Sequence, residues 1–150
     1  TVGALLTRLF RDQGALAMST DIDREGVEFG KALQLVNIMK DFHKDWQEGR
    51  CFWPGVPFPN GKASAPPAWE PLERSFEVMK GQFAHYAAAA WSYVKKIDSK
   101  RQDLRFFCEF PLRMAEATLA KASEDPAWLR TGGTFKVNRL EMAQILEMIS

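Results

Sequence analysis

The sequence has few of the residues that mark several common protein classes. Its only cysteines, Cys51 and Cys108, lie far apart and belong to no CxxC or Cys/His ligand pattern. We therefore expect neither a disulfide framework nor a zinc site, and a reducing compartment is the simpler interpretation. Charge is almost balanced, with 20 Lys and Arg against 19 Asp and Glu. No general basic surface for nucleic acid is expected, so a charged ligand must be recognised locally.

Long apolar runs and common nucleotide or nucleophile motifs are also missing. The longest apolar stretch, around "AAAAW", is far shorter than the roughly 20 residues that cross a bilayer, and nothing resembles a signal peptide. The sequence contains no P-loop, no nucleophile elbow and no dinucleotide-binding fingerprint. We expect a cytoplasmic protein without a transmembrane segment, while peripheral contact with a membrane surface remains open.

The apolar pattern predicts an all-α fold of about five helices and no sheet. Apolar residues recur at threes and fours, as in Phe76, Met79, Phe83 and Tyr86. At 150 residues and 17.0 kDa the chain suits a single domain, 1–150. The predicted helices are Thr1–Met18, Arg24–Glu48, Trp69–Ser99, Gln102–Ser123 with a kink at Pro111, and Asn138–Ile149. Between the second and third, residues 49–67 contain most of the prolines and predict a long internal loop.

A polar stripe follows one side of the second predicted helix. On a wheel of about 100° per residue, Gln34, Asn37, Asp41 and Asp45 fall within an arc of roughly 80°. Most other positions there are apolar, so the stripe is expected to face a cavity. Two carboxylates one turn apart would repel each other there, and Mg²⁺ bridging them to a phosphate would relieve this. The alternative is an ordinary solvated face, which the spacing does not exclude.

The string "ALQLVNIMKDFHKDWQEGRCFWP" closely resembles the second aspartate-rich motif of the squalene and phytoene synthase family. "TVGALLTRLF", "FFCEFPLRMAEATLA" and, more loosely, "FKVNRLEMAQ" resemble its squalene synthase branch. The resemblance implies an isoprenoid synthase fold and a prenyltransferase that joins two farnesyl diphosphates head to head through presqualene diphosphate. It further implies Mg²⁺ at the aspartates, and NADPH for the reduction to squalene in sterol or hopanoid biosynthesis.

The resemblance also assigns roles to particular residues. Asp41 and Asp45 would be metal ligands and catalytic, while Gln34 and Asn37 would line the site and Arg50 would bind diphosphate. A second group would line the hydrocarbon tunnel, although packing of a kinked helix would explain the same residues: Phe107, Cys108 and Pro111. Lys136 and Arg139 resemble a region near the reductive step, against the alternative of a solvated surface.

Two features depart from the family pattern. Lys44 replaces the acidic residue that usually precedes the second aspartate, which removes one metal ligand and adds a positive charge. The first aspartate-rich motif is expected upstream of Thr1. The chain begins in a helical pattern, whose apolar face is formed by Val2, Leu5, Leu6, Leu9 and Phe10. We therefore expect the C-terminal portion of a longer or split synthase, inactive alone, paired with an N-terminal half or as a homodimer.

Two other functions remain open at this point. The first is a non-catalytic helical partner or prenyl-diphosphate-binding module. The second is a fragment of a phytoene or dehydrosqualene synthase, which needs no NADPH. The sequence does not determine the prenyl chain length.

Overall fold

Helices are the only regular elements in a computed structural model that describes residues 1–58, 67–132 and 135–149. No strand occurs in those three ranges, which confirms the predicted all-α class. The helices are α1 Val2–Asp12, α2 Thr20–Lys40, α3 Phe42–Gln47, α4 Trp69–Lys96, α5 Gln102–Glu124, α6 Trp128–Thr131 and α7 Arg139–Ile149. None of these helices is long and apolar enough to cross a bilayer.

The centre of the fold is the long contact between α2 and α4. The helix α1 crosses α2, α5 packs against both α2 and α4, and α7 lies on α5. The apolar positions predicted at threes and fours on α4 are buried, including Phe76, Met79 and Phe83. This packing fixes the orientation of α2, which carries most of the predicted site.

The first helix is shorter than predicted. The Thr1 hydroxyl accepts a hydrogen bond from the Ala4 amide and caps α1, which ends at Asp12 instead of Met18. Gly14 takes a left-handed conformation with φ of 68°, which ends the helix. The Arg11 side chain then donates hydrogen bonds to the Ala17 and Ser19 carbonyls, which satisfies these two backbone acceptors of the turn.

The buried face of α1 agrees only in part with the predicted one, since Phe10 is buried and Leu6 packs against the core. Val2, Leu5 and Leu9 are largely exposed. The buried side instead includes Gly3, where a Cβ atom would overlap the carbonyl oxygen of Gly26 on α2. Two glycines let the backbones of the helices approach more closely than apolar side chains allow. Close backbone contact at the two glycines, together with the buried Phe10, therefore orients α1.

The predicted loop is partly anchored in the core. In its first part, Trp53 and Val56 are buried, although residues 49–58 outside the helices form no regular element. The segment 59–66 of this prediction lies outside the described residues. Trp53 belongs to an aromatic cluster, Phe42, Trp53, Phe76, Trp128 and Phe135, whose rings contact one another at centroid distances of 4.3–6.2 Å. The cluster holds the loop against α3, α4 and α6.

Candidate functional site

A groove of about 900 Å³ lies between α2 and α3 on one side and the middle of α5 on the other. The lining also includes Gly132, Phe135, Lys136 and Val137. Its apolar walls include Leu33, Val36, Phe110, Met114 and Phe135. Its polar lining is Asn37, Lys40, Asp41, His43, Lys44, Gln47, Thr118 and Lys136. The groove thus combines an apolar floor with charged groups.

The predicted polar stripe lies along the edge of this groove. Asn37 and Asp41 line it, whereas Gln34 and Asp45 do not, and Gln34 is exposed on the neighbouring face. Asn37 accepts a 3.2 Å hydrogen bond from the Lys40 ammonium through its side-chain oxygen. The Asp41 carboxylate is exposed and forms no ion pair with any described residue. Asp41 is therefore the stripe carboxylate that is open to a ligand in the groove.

The predicted second helix is interrupted at Asp41. This residue has φ −91° and ψ 4°, and it separates α2 from α3. The Trp53 indole donates a 3.2 Å hydrogen bond to the Ile38 carbonyl, which an unbroken helix would offer to the Phe42 amide. A side chain that takes a helix carbonyl is a recognised cause of such breaks. The buried loop residue thus interrupts the aspartate-bearing helix at its first aspartate.

The second aspartate is held by the arginine predicted to bind diphosphate. Arg50 donates two hydrogen bonds to one oxygen of Asp45, at 2.8 and 3.2 Å, and also pairs with Glu48. Gly49, at φ of 84°, turns the chain so that the Arg50 amide bonds the Asp45 carbonyl. The hydrogen bond to Asp45, followed by the charge of Glu48, raises the pKa of Arg50. The negative charge of Asp45, unlike that of Asp41, is already balanced by an arginine.

The three predicted tunnel residues occupy different environments. Pro111 lines the groove from the interior of α5, which is one helix from Gln102 to Glu124. Phe107 lies on the exposed side of that helix, whereas Cys108 is fully buried. Burial raises the pKa of the Cys108 thiol to about 12. Only Pro111 of the three faces the groove in this structure.

The two residues assigned to the reductive step also lie in different environments. Lys136 lines the groove, and Arg139 is exposed at the first residue of α7. The Lys136 carbonyl accepts a 3.1 Å hydrogen bond from the Lys121 ammonium on α5. This contact and the Phe135 ring fix the segment against the groove.

Sequence reasoning missed several residues of the groove. His43, which helical spacing puts on the side opposite the stripe, lines the groove. Its Nε2 donates to the Trp128 carbonyl at 2.8 Å, and that bond assigns the proton of the neutral ring to Nε2. Lys40 and Lys44 also line the groove, with Asn37 and Gln47 at helical spacing. That recurrence, 37, 40, 44 and 47, was the signal available in the sequence.

The acidic groups suit a metal ion that arrives with a phosphate ligand. Within the ranges that the structure describes, no group of three or more His, Cys, Asp or Glu side chains is placed to hold a metal. Mg²⁺ commonly uses only one or two protein carboxylates, with substrate phosphates and water as its other ligands. The open Asp41 carboxylate, with Asp45 beside Arg50, fits that mode better than a closed protein site.

Two comparisons with known proteins agree on the family of the chain. The family model described as squalene/phytoene synthase matches residues 1–141. The squalene synthase of Schizosaccharomyces pombe is 30% identical to the chain over 154 aligned residues. That alignment covers 97% of this chain but 32% of the yeast enzyme, so the chain spans about a third of its relative's length. No solved structure matches the chain significantly.

Proposed function

The chain belongs to the squalene/phytoene synthase family, and we propose on this premise that it supplies the second aspartate-rich helix of a squalene synthase-like prenyltransferase. The reaction is the head-to-head condensation of two farnesyl diphosphates through presqualene diphosphate. Because the chain spans about a third of its yeast relative, we assign it part of the catalytic centre and not the whole. The first aspartate-rich motif is contributed by another segment or chain.

The observation that carries this proposal is the open Asp41 carboxylate at the edge of a groove with apolar walls. Ionisation of an allylic diphosphate leaves strong negative charge on the departing group, which cations must stabilise. Mg²⁺ held by Asp41 and Asp45 would supply that charge when bound. Arg50, already beside Asp45, presents a planar guanidinium suited to phosphate oxygens. Gln34 and Asn37 orient water or phosphate along the same helix.

The apolar walls support a prenyl substrate. Phe110, Pro111 and Met114 project from α5 toward α2 across the groove. They shelter a hydrocarbon chain from water, while Phe107 offers an exposed aromatic ring one turn earlier on the same helix. Cys108 supports this wall from inside the core.

A squalene product also requires a hydride, which NADPH supplies. We assign Lys136, which lines the groove, and Arg139, which is nearby in sequence, to contacts with its phosphates. A complete enzyme that releases squalene only when NADPH is added supports the reductive step. Equal yields of a dehydrosqualene or phytoene-type product with and without NADPH would instead place the chain in that branch of the family.

The metal-site proposal is tested by binding, because binding does not require a complete enzyme. Calorimetry should show that Mg²⁺ strengthens binding of farnesyl thiodiphosphate, a slowly ionising analogue. The variant carrying Asp41→Asn and Asp45→Asn should lose this Mg²⁺ effect. Asp12→Asn, an exposed aspartate on α1, is the matched control and should retain it. Equal Mg²⁺ dependence in the double variant and the wild type would refute the site.

The incomplete centre predicts that the purified chain makes no product alone. Farnesyl diphosphate, Mg²⁺ and NADPH should yield neither presqualene diphosphate nor squalene, and detection of either would overturn this assignment. Val2, Leu5 and Phe107, all exposed apolar residues, support association with a second polypeptide or copy. Native mass spectrometry of the protein from its source should therefore show a longer polypeptide or a complex.

A further inference from the structure

The unit formed by α2 and α3 presents two polar faces with different charge. The first is the predicted stripe, where Asp45 and Glu48 are paired with Arg50 outside the groove. The second lines the groove and carries Lys40 and Lys44, one helical turn apart. Asp41 lies at the boundary and is the only carboxylate among the described residues that line the groove. The groove is therefore positively charged, although the stripe beside it is acidic.

The ammonium groups of this second face lack carboxylate partners. Lys40 bonds the neutral side chain of Asn37, and no ion pair joins Lys40, Lys44 or Lys136 to any described residue. Like charges four residues apart on a helix repel each other, so Lys40 and Lys44 cost stability as they stand. An anion bound between them removes this repulsion and adds charge-assisted hydrogen bonds. Lys136 adds a third ammonium to the lining of the groove.

The chemistry of the groove selects an amphipathic anion. Phe110, Met114 and Phe135 offer apolar surface that inorganic phosphate would leave uncovered. A volume of about 900 Å³ is ample for a ligand with both a charged head and a hydrocarbon chain. Family membership narrows this class to prenyl diphosphates, so the identity of the ligand rests on the function proposed above.

We propose that the groove binds a prenyl diphosphate without a metal ion, through Lys40 and Lys44. The two lysines contact the diphosphate oxygens, and the prenyl chain lies over the α5 side of the groove. Lys44, which replaces an acidic residue of the family pattern, then serves as a substrate anchor. The lysine anchors are distinct from the magnesium pair Asp41 and Asp45, although both sites use the boundary residue Asp41, the neighbouring Asn37 and the same apolar wall of α5.

The test is calorimetric titration of the 150-residue chain with farnesyl thiodiphosphate in EDTA. Binding should persist, and Lys44→Gln or Lys40→Gln should each weaken it about tenfold, the loss of one charge-assisted hydrogen bond. Lys100→Gln, the same charge change at an exposed site outside the groove, should leave the affinity unchanged. Asp41→Asn should strengthen binding in EDTA, because it removes the negative charge lining the groove. Circular dichroism should confirm that each variant is folded.

Two results would overturn the proposal: no binding in EDTA, or equal weakening by Lys44→Gln and Lys100→Gln. Inorganic diphosphate should bind at least tenfold more weakly than the farnesyl analogue, and equal affinity would remove the role of the apolar walls. Asp45→Asn separates this inference from the magnesium site. It should reduce the Mg²⁺ effect and leave binding in EDTA intact. Binding in EDTA without any Mg²⁺ effect would refute the magnesium proposal alone, whereas the reverse would refute the lysine site alone.

Discussion

The contact between α1 and α2 predicts opposite effects for the same substitution at two glycines. Gly26 lies in the interior of α2, where a Cβ atom would overlap the Thr7 hydroxyl and approach the Tyr93 ring at 3.2 Å. Gly81 lies in the interior of α4, where a Cβ atom would meet nothing within 4 Å. We expect Gly26→Ala to destabilise the fold and Gly81→Ala to stabilise it.

The magnitude follows from three contributions. Alanine gains about 1 kcal/mol over glycine in a helix interior, and this gain applies at both positions. At Gly26 the overlap costs about 1 to 3 kcal/mol. Relief by rotation of Thr7 would sacrifice its hydrogen bonds to the Gly3 carbonyl, 2.9 Å, and the Tyr93 hydroxyl, 3.2 Å, at about 1 kcal/mol each. Because rotation of Thr7 would relieve the overlap, the two costs are alternatives, and the net expectation is a loss of about 1 kcal/mol for Gly26→Ala and a gain of about 1 kcal/mol for Gly81→Ala.

Urea denaturation followed by circular dichroism measures both variants against the wild type. Gly81→Ala serves as the matched control, because it changes helix propensity by the same amount without adding a contact. A Gly26→Ala variant as stable as Gly81→Ala would refute the close approach of α1 and α2. Such a result would also remove the physical basis for the burial of Gly3 and the exposure of Leu5.

Three further predictions concern a buried ion pair, the cysteines and an acidic group. Lys96→Met should destabilise the fold by about 2 to 3 kcal/mol in urea denaturation, because it leaves the buried Glu25 carboxylate without its ammonium partner. Adding Glu25→Gln to this variant should recover part of the lost stability. Folded protein at mildly alkaline pH should be alkylated at Cys51 but not at Cys108, because burial raises the pKa of the Cys108 thiol to about 12. Peptide mass spectrometry that finds both thiols modified equally would contradict this prediction. A hydrogen bond from Lys121 on α5 holds the pKa of Glu141 below its ordinary value of 4.5. The stabilising contribution of Glu141 is therefore present above pH 4.5 and is lost as the pH falls through the folded-state pKa. Unfolding midpoints of the wild type and Glu141→Gln should accordingly converge on acidification, and a constant difference at all pH values would argue against the ion pair.

Part of the candidate site was predictable because helical spacing alone brings residues together. Asn37 and Asp41 were identified from the 3.6-residue repeat, and both line the groove. The spacing could not predict that Arg50 folds back on Asp45, since this depends on the left-handed turn at Gly49. The spacing also could not identify His43 as a groove residue, because the position of His43 depends on a hydrogen bond to Trp128, 85 residues away. Contacts between distant segments decide which side of a short helix faces a cavity.

The amino-acid sequence by itself determined the helical class, the approximate extent of α4 and α5, and the family, since these depend on local apolar spacing and a contiguous motif. Tertiary structure decided how α1 packs, since the close approach at Gly3 and Gly26 leaves part of its apolar face, Val2, Leu5 and Leu9, largely exposed. It also decided the break at Asp41, where the indole of Trp53 takes a helix carbonyl. In both places a group remote in the chain competes with a local preference, and close packing in the core settles that competition.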